Sequence, residues 1–309
     1  MRASATLCLL TLKPGLFTGD GRDHSNQVWL DDLQISAANL LPDLAPSARL
    51  VAEPTAVERR HATHKGSYGN VAVVGGAPGM AGAALLAAIA AVNGGAGKVF
   101  LCALDERLPP LSAHHAELMV RDIAHIDAHG MTVVCGCGGG DLIRAHMPRL
   151  LSTATHLVLD ADALNALSTD PQLQGQLRRR AARGHPSVLT PHPLEAARLL
   201  GSSSAQVQAD RIGAARQLAD DYQCVVAVKG SGTVIAAPGH TPRINPTGNA
   251  RLSSAGTGDV LAGMVGAARA TGLPAFEAAC AAVYRHGAAA DQWPHDTALS
   301  ASRLAHARL

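Results

Sequence analysis

One stretch of the sequence combines residue types that are suited to chemistry: "SSAGTGDVLAGM", residues 253–264. Asp259 is its only charged residue and lies in a glycine-rich turn before an apolar run, which predicts a helix N-terminus. Gly256 and Gly258 lack a Cβ and allow a ligand to approach the backbone. The free N–H groups of a first helical turn form an anion site, and a carboxylate beside such a site is suited to group transfer. Helix capping by Asp259, worth about 0.3–1 kcal/mol, is the alternative.

A second candidate is "VKGSGTV", in which Lys229 ends a strand and four small residues follow, Gly230, Ser231, Gly232 and Thr233. Lysine binds phosphate as a point charge, while glycine amides and a threonine hydroxyl are neutral donors to phosphate oxygens. This segment therefore indicates a phosphate site. A hairpin turn with a solvated lysine is the alternative.

Two further strand ends carry polar residues. "LTPHPLE" places His192 and Glu195 beside prolines that stiffen the turn. These two residues form either a ligand site or an exposed capping pair. "LDADALN" supplies Asp160, Asp162 and Asn165. These three side chains are able to hold Mg²⁺ directly or through water, but capping of the next helix is the favoured interpretation.

Several other classes of site are disfavoured. "GGAPGMAGAALLAA" lacks the G-x-G-x-x-G spacing and the later acidic residue of a dinucleotide site, and no Walker A motif occurs. That turn is expected to supply backbone amides and space near Gly82 and Ala83. Cys135 and Cys137 are expected to pack in the core rather than to bind a metal. No basic block is interleaved with aromatic residues, so nucleic-acid binding is not expected.

Composition sets the broad class of the protein. Of 309 residues, 47% are apolar and only 3% aromatic, and the formal net charge is +2. No apolar run approaches the roughly 18 residues of a membrane span, and "MRASATLCLLTLKPG" is interpreted as a strand rather than a signal peptide. The six cysteines lack the spacing of a disulfide framework. A cytoplasmic protein without a membrane segment is expected.

The order of elements predicts the architecture. From "HKGSYGNVAVVGG" onward, short β runs alternate with helical segments, which predicts an α/β fold with a largely parallel sheet and helices on both faces. "VVAVKGSGTVIAAPG" is typical of a β-hairpin. Ligands of such sheets bind at the carboxyl ends of the strands. Residues 1–46 differ in texture and end in a Pro/Ala/Ser-rich linker.

The whole series of motifs resembles the ADP-dependent NAD(P)H-hydrate dehydratases, which share the ribokinase-like fold. The matching stretches include "GMAGAALLAA", "GCGGG", "LDADALNAL", "LTPHPLE", "VKGSGTV" and "NPTGNARLSSAGTGDVLAGM", and they cover roughly residues 60–290. The resemblance implies repair of NADH or NADPH to which water has added. The S form of the hydrate is phosphorylated from ADP (or ATP) and then loses phosphate, with Mg²⁺ as cofactor. Homo-oligomers are common in this family, so one is expected here.

The resemblance also implies roles for individual residues. Asp259 is the expected base and contacts the hydrate, with Ala83, Gly138 and His192 as further hydrate-binding positions. Gly256 and Gly258 form the expected anion hole, and the nucleotide is expected at Lys229, Gly230, Ser231, Gly232, Thr233 and Gly258. The sequence names no protein ligand for the metal. Gly136-Cys137-Gly138 stands where the family often has G-P-G.

The N-terminal part carries a second resemblance. "TLKPGLFTGDGRDHSNQVWLDDL" is similar to the last piece of the NAD(P)H-hydrate epimerase domain, without that family's active site. We therefore predict a remnant of an epimerase domain plus linker over residues 1–46 and a ribokinase-like dehydratase domain over residues 47–309. A chain that starts near Val51 is expected to retain dehydratase activity, and no epimerase activity is expected.

Two rival functions remain open. A ribokinase-like kinase of a vitamin precursor would share the glycine turn and Asp259, but not the whole series of motifs. A non-catalytic nucleotide-binding descendant would bind AMP without turnover.

Overall fold

The computed structural model describes residues 2–35, 45–55, 60–105 and 115–307. Within these ranges the chain forms twelve strands: β1 (Ala5–Leu9), β2 (Gln27–Asp31), β3 (Arg49–Leu50), β4 (Asn70–Gly75), β5 (Lys98–Ala103), β6 (Met119–Val120), β7 (Thr132–Cys135), β8 (His156–Leu159), β9 (Ser187–Leu189), β10 (Val225–Val228), β11 (Val234–Ala236) and β12 (Arg243–Ile244).

Ten of the described strands form one sheet in the order β3-β12-β11-β10-β9-β8-β7-β4-β5-β6. All the neighbours from β10 to β6 run parallel. The β10–β11 and β11–β12 pairs are antiparallel, while β3 runs parallel to β12 at the edge. The predicted largely parallel sheet is therefore confirmed, and so is the hairpin at "VVAVKGSGTVIAAPG".

The described α-helices are α1 (Gly21–Ser25), α2 (Ala81–Asn93), α3 (Ile143–Thr153), α4 (Asp162–Ser168), α5 (Pro171–Ala182), α6 (Pro193–Leu200), α7 (Ser204–Ala209), α8 (Arg211–Tyr222), α9 (Thr257–Ala270), α10 (Ala275–Asp291) and α11 (Ala301–Ala305). Helices α2 to α11 divide into two groups, each of which packs in its own apolar core. Helices α2, α9, α10 and α11 share one core with one face of the sheet, and α3 to α8 share the other. Alternate residues of β4, such as Val73 and Val74, enter opposite cores because side chains alternate along a strand. The prediction of helices on both faces is confirmed.

Small residues let the helices of the first core approach each other closely. A Cβ on Gly263 of α9 would lie 2.1 Å from the carbonyl oxygen of Ala87 in α2. The high alanine and glycine content thus reflects backbone-to-backbone contact between helices, which sets the position of the α9 N-terminus.

The sequence pattern missed several details. The segment after Gly201 is divided into α7 and α8, and the Asp210 carboxylate accepts the amide of Gly213 where the second helix begins. The short strands β3, β6 and β12 also gave no sequence signal, since two residues are too few to show a period. No helix in the described ranges is long and apolar enough to cross a bilayer.

The N-terminal strands pair with each other as a separate two-stranded parallel sheet. Several of their apolar side chains remain on the surface, with Leu7 63% and Trp29 57% exposed. Residues between them contact the main body of the protein, as described below. Val51 is buried and its amide donates to Ile244, directly after β3. A chain trimmed near Val51 would therefore also lose β3.

Candidate active site

The parallel strands β7, β8, β9 and β10 end side by side, so their following turns meet at one edge of the sheet. The turn after β7 is made of glycines in the left-handed region, with φ of 117° at Gly136 and 58° at Gly138. A Cβ on Gly136 would lie 2.0 Å from the carbonyl oxygen of Asp160. Glycine is required here because the turn packs directly on the neighbouring strand end.

Asp259 lies in the first turn of α9, as predicted. Gly256 precedes the helix with φ of 88° and turns the backbone into it. Within the described chain, no acceptor engages the amides of Gly258 and Asp259, which are two of the free donors of the helix start. Burial, followed by the charge of Asp160, raises the pKa of Asp259 from 3.8 to about 6. A carboxylate with such a pKa is suited to act as a base near neutral pH.

Cys137 contacts this carboxylate. Its side chain is fully buried, and its thiol hydrogen-bonds to Asp259, which lowers the Asp259 pKa against the effect of burial. Burial raises the pKa of the thiol itself well above its ordinary value, so Cys137 stays a neutral donor. The sequence interpretation of Cys137 as a core residue is correct for its burial but missed this contact.

Lys229 forms a buried ion pair rather than a solvated hairpin side chain. Its Nζ lies 2.5 Å from Oδ1 of Asp160, which also accepts the hydroxyl of Thr190 at 2.8 Å. Burial lowers the pKa of Lys229, but the carboxylates of Asp160 and Glu195 outweigh this effect and raise it overall. Asp160 therefore neither caps α4 nor stands free for a metal.

A cavity of about 510 Å³ opens beside this ion pair. Its wall includes Lys229, Gly230, Ser231 and Thr233 from the β10–β11 turn and Gly258 from α9. A cavity of this size is suited to a small ligand. Five of the six positions expected to bind nucleotide thus surround a single space.

Gly232, the sixth position, does not line the cavity. It has φ of 66°, and a Cβ there would lie 1.8 Å from the carbonyl oxygen of Phe17. Gly256 also lies outside the cavity wall, and a Cβ there would meet Leu86 and Ala301. Both glycines permit close packing against neighbouring atoms, and their expected roles as ligand contacts stay predictions.

Two of the expected hydrate-binding positions, Gly138 and Ala83, lie against each other. A Cβ on Gly138 would lie 2.8 Å from the Cβ of Ala83 and 2.7 Å from the carbonyl oxygen of Met80. Gly138 directly follows Cys137, the hydrogen-bond partner of Asp259. This surface therefore adjoins Asp259 through Cys137, and Asp259 directly follows Gly258 of the cavity wall.

His192 and Glu195 form the capping pair that the sequence left open. His192 Nδ1 accepts the amides of Leu194 and Glu195, and the Glu195 carboxylate accepts the His192 amide at 2.7 Å. Burial, followed by the charge of Lys229, lowers the pKa of His192. Burial raises the pKa of Glu195 to about 7. The Nε2 atom of this ring, on a side chain that is 46% exposed, lies 3.3 Å from Oε1 of Glu195.

The acidic groups fit Mg²⁺ only together with a phosphate ligand. Ligand atoms of Cys137, Asp160 and Asp259 lie within 4.8 Å of one another, but a thiol is a poor ligand for a hard cation, and Asp160 already pairs with Lys229. Asp162 instead accepts the amide of Gly140 at 2.8 Å. These carboxylates therefore suit a Mg²⁺ ion that phosphate oxygens hold in large part.

Sequence reasoning missed three groups around the cavity. His286 lines it, and its Nε2 lies 2.9 Å from the carbonyl oxygen of Thr257. Burial lowers the pKa of this histidine to about 4, so it is neutral. Arg22 and Asp23 also line the cavity. No local pattern marks these residues, and the partners of Arg22 and His286 are distant in sequence.

The chain is similar to NAD(P)H-hydrate repair enzymes of two bacteria. It is 43% identical over 255 residues to the ADP-dependent (S)-NAD(P)H-hydrate dehydratase of Neisseria meningitidis serogroup B, across 80% of this chain and 84% of the relative. It is 35% identical over 301 residues to the bifunctional NAD(P)H-hydrate repair enzyme of Escherichia coli K12. That match covers 94% of this chain and 56% of the relative, so the chain spans little more than half of the bifunctional enzyme.

Solved structures give the same result. An ADP/ATP-dependent NAD(P)H-hydrate dehydratase from Bacillus subtilis, co-crystallized with ATP and Mg²⁺, matches with a TM-score of 0.70 at 31% identity, over 80% of this chain and 90% of that chain. A ribokinase-like superfamily protein from Enterococcus faecalis shares the fold, with a TM-score of 0.70 at 23% identity over 81% of this chain and 89% of that chain. The family described as NAD(P)H-hydrate dehydratase matches residues 71–308. The chain belongs to the NAD(P)H-hydrate dehydratase family.

Proposed function

We propose that this protein dehydrates the S form of NAD(P)H hydrate to NAD(P)H, with conversion of ADP to AMP and phosphate. The observation that carries the proposal is the position of Asp259. Asp259 stands at the helix N-terminus, directly after Gly258 of the cavity wall, and its carboxylate hydrogen-bonds to Cys137, which precedes Gly138. A base that adjoins both regions is suited to assist phosphoryl transfer from a nucleotide to a hydroxyl group.

In the first step, Asp259 accepts the proton of the ring hydroxyl. The hydroxyl oxygen bonds to the terminal phosphorus of ADP as the bond from that phosphorus to the AMP oxygen breaks. The free amides of the α9 N-terminus stabilise the transferring group. In the second step, phosphate leaves with the carbon–oxygen electron pair and the ring loses a proton, which restores the double bond.

The nucleotide is placed by the residues of the cavity. Lys229, Gly230, Ser231 and Thr233 would hold its phosphates and AMP portion, with Gly258 at the point of transfer. Mg²⁺ would be held by phosphate oxygens and by the carboxylates at the carboxyl-terminal edge of the sheet, and it would neutralise phosphate charge. Asp160 keeps Lys229 charged and directed at this edge.

The hydrate binds at the surface formed by Gly138 and Ala83. Glycine and alanine carry no side-chain atom beyond Cβ, so neither residue would obstruct the ring. His192, whose Nε2 lies 3.3 Å from Oε1 of Glu195, stands at the same edge of the sheet on a half-exposed side chain. We keep these three residues as the hydrate-binding positions, together with Asp259.

The domain organisation is also a proposal. The match to the bifunctional enzyme covers 94% of this chain, so it extends into the residues that precede the dehydratase family match. This supports an epimerase-like segment over residues 1–46 and a dehydratase domain over residues 47–309. We further propose a cytoplasmic protein, since its six cysteines are free and buried, and a homo-oligomer, as is common in the family.

The decisive test is a repair assay with purified S hydrate of NADH or NADPH, each with ADP and with ATP. Absorbance near 340 nm should return and AMP should form stoichiometrically with ADP as donor. Phosphorylation of a hydroxymethylpyrimidine or thiazole alcohol without hydrate repair would favour the vitamin-precursor kinase. AMP binding without any turnover would favour a non-catalytic descendant. The protein should not interconvert R and S hydrates faster than buffer.

A further inference from the structure

Residues of the N-terminal segment lie directly on the nucleotide cavity. The amide of Gly19 donates to the carbonyl oxygen of Ser231 at 3.0 Å, and the Ser231 hydroxyl donates back to the Gly19 carbonyl oxygen at 3.1 Å. The Phe17 carbonyl oxygen approaches Gly232 so closely that a Cβ there would be 1.8 Å away. The segment therefore fits the β10–β11 turn backbone to backbone.

Arg22, in α1 of the same segment, contacts another part of the cavity wall, the loop that follows β12. Its guanidinium donates to the carbonyl oxygens of Pro246 and Gly248, both at 2.9 Å, and to that of Thr247 at 3.4 Å. A guanidinium offers five donors in a rigid fork, which suits three converging carbonyls. Arg22 and the loop carbonyls thus form one rigid unit at the cavity.

The same loop is held from its other side by Asp291 at the end of α10. The Asp291 carboxylate accepts the amide of Gly248 at 2.7 Å and the side-chain amide of Asn249 at 2.9 Å. Thr247, Gly248 and Asn249 all line the cavity. The loop is therefore fixed between an arginine that binds its carbonyls and an aspartate that binds its amides.

We propose that Pro14–Ser25 is a fixed wall of the nucleotide cavity, and that Arg22 is a positioning residue which holds Pro246–Gly248 in the conformation that binds an adenine nucleotide. This inference rests on the proposed function of the cavity. It assigns a role in the dehydratase site to a segment that resembles an epimerase domain. It also replaces the expectation that a chain which starts near Val51 retains dehydratase activity.

The test compares Arg22→Met with Arg2→Met in the full chain. Arg2 is an exposed arginine of the same N-terminal part, so the control loses the same charge without the contacts. For Arg22→Met we expect the Kd and KM for ADP to rise at least about tenfold, because charge-assisted hydrogen bonds are lost, while kcat stays within about twofold. Arg22→Lys should recover part of the affinity, since one ammonium reaches fewer carbonyls.

Three outcomes separate this inference from its alternatives. If the parent binds ADP and folded Arg22→Met binds it equally tightly, the wall role is overturned and the proposed function stands. If Arg22→Met only lowers Tm, with unchanged ADP affinity of the folded protein, Arg22 is merely structural. If the parent does not bind ADP, the proposed function fails and the wall role with it.

Hydrogen exchange of the unaltered protein gives a second test that does not depend on a folded variant. Saturation with ADP should slow amide exchange in Pro14–Ser25 together with residues 246–250. Protection confined to Lys229–Thr233 and the α9 N-terminus would overturn the proposal.

Discussion

The ammonium of Lys229 and the carboxylate of Asp160 form one buried ion pair, 2.5 Å apart, with side chains only 16% and 2% exposed. Their strands, β10 and β8, are separated by β9, whose end supplies Thr190 as a further donor to the same Asp160 oxygen. Lys229 also borders the cavity, and a Cβ on Gly258 would lie 3.3 Å from its Nζ. We therefore expect the ion pair to couple the stability of the sheet edge to nucleotide binding.

Lys229→Ala should weaken both properties. Removal of one partner leaves the buried Asp160 charge uncompensated, which typically costs about 3–5 kcal/mol of stability. Loss of a charge-assisted phosphate contact, worth about 1.5–3 kcal/mol, should raise the KM for ADP at least tenfold. Urea denaturation and initial-rate kinetics measure the two effects separately.

The double variant Lys229→Ala with Asp160→Asn separates the two roles. Asparagine removes the unpaired charge and keeps an oxygen for Thr190, so most of the lost stability should return. The KM for ADP should stay high because the ammonium is still missing. An unchanged KM in both variants would reduce Lys229 to a structural ion-pair partner.

Asp259→Asn should keep the fold, because the two side chains have nearly the same shape, and should remove the base. We expect AMP affinity within a few-fold of the parent and kcat lower by at least about 10²-fold, the lower end of general-base contributions. Calorimetric AMP titration and the repair assay provide the two measurements. Near-parental turnover would leave Asp259 as a helix cap.

The pH dependence of activity should report Asp259 directly. Its pKa is raised to about 6 and the base acts in its ionised form, so kcat/KM should fall about tenfold per pH unit below 6. The ascending limb should be missing from the residual activity of Asp259→Asn. A parental profile that stays flat between pH 5 and 7 would contradict this assignment.

The same pKa shift predicts a pH-dependent stability. The folded-state pKa of Asp259 lies above its ordinary value of 3.8, so the folded protein binds this proton more tightly and loses stability as pH rises from about 4 to 6. Asp259→Asn removes the ionised group and should therefore stabilise the protein at pH 8, by up to about 2 kcal/mol. Little change is expected at pH 4, where Asp259 is protonated. Thermal denaturation at both pH values tests the sign.

Cys137 should affect the pKa of Asp259, the proposed base. Its thiol hydrogen bond lowers the Asp259 pKa, so Cys137→Ala should raise that pKa and move the acidic limb of kcat/KM to higher pH. Cys137→Ser retains a donor and should leave the limb closer to that of the parent. An acidic limb that is the same in the alanine variant and the parent would show that the thiol only packs against Asp259.

Local sequence patterns were sufficient for the architecture and for the centre of the site. Short apolar runs that end in glycine turns predicted the parallel strands and the edge at which they end, because burial and turn geometry depend on neighbouring residues. The lone carboxylate among glycines likewise predicted the α9 N-terminus, now seen at Gly256 and Asp259. These features depend only on consecutive residues.

The contacts that complete the site were decided only by the tertiary structure. Lys229 pairs with a residue 69 positions earlier, and Arg22 reaches a carbonyl 226 positions later. Neither pairing has a period or a spacing that a linear pattern could reveal. They depend on strand order, which brings β8, β9 and β10 together, and on where the N-terminal segment packs. Local composition fixes which residues are buried or turned, whereas the partner that satisfies a buried charge is set by the assembly of distant elements.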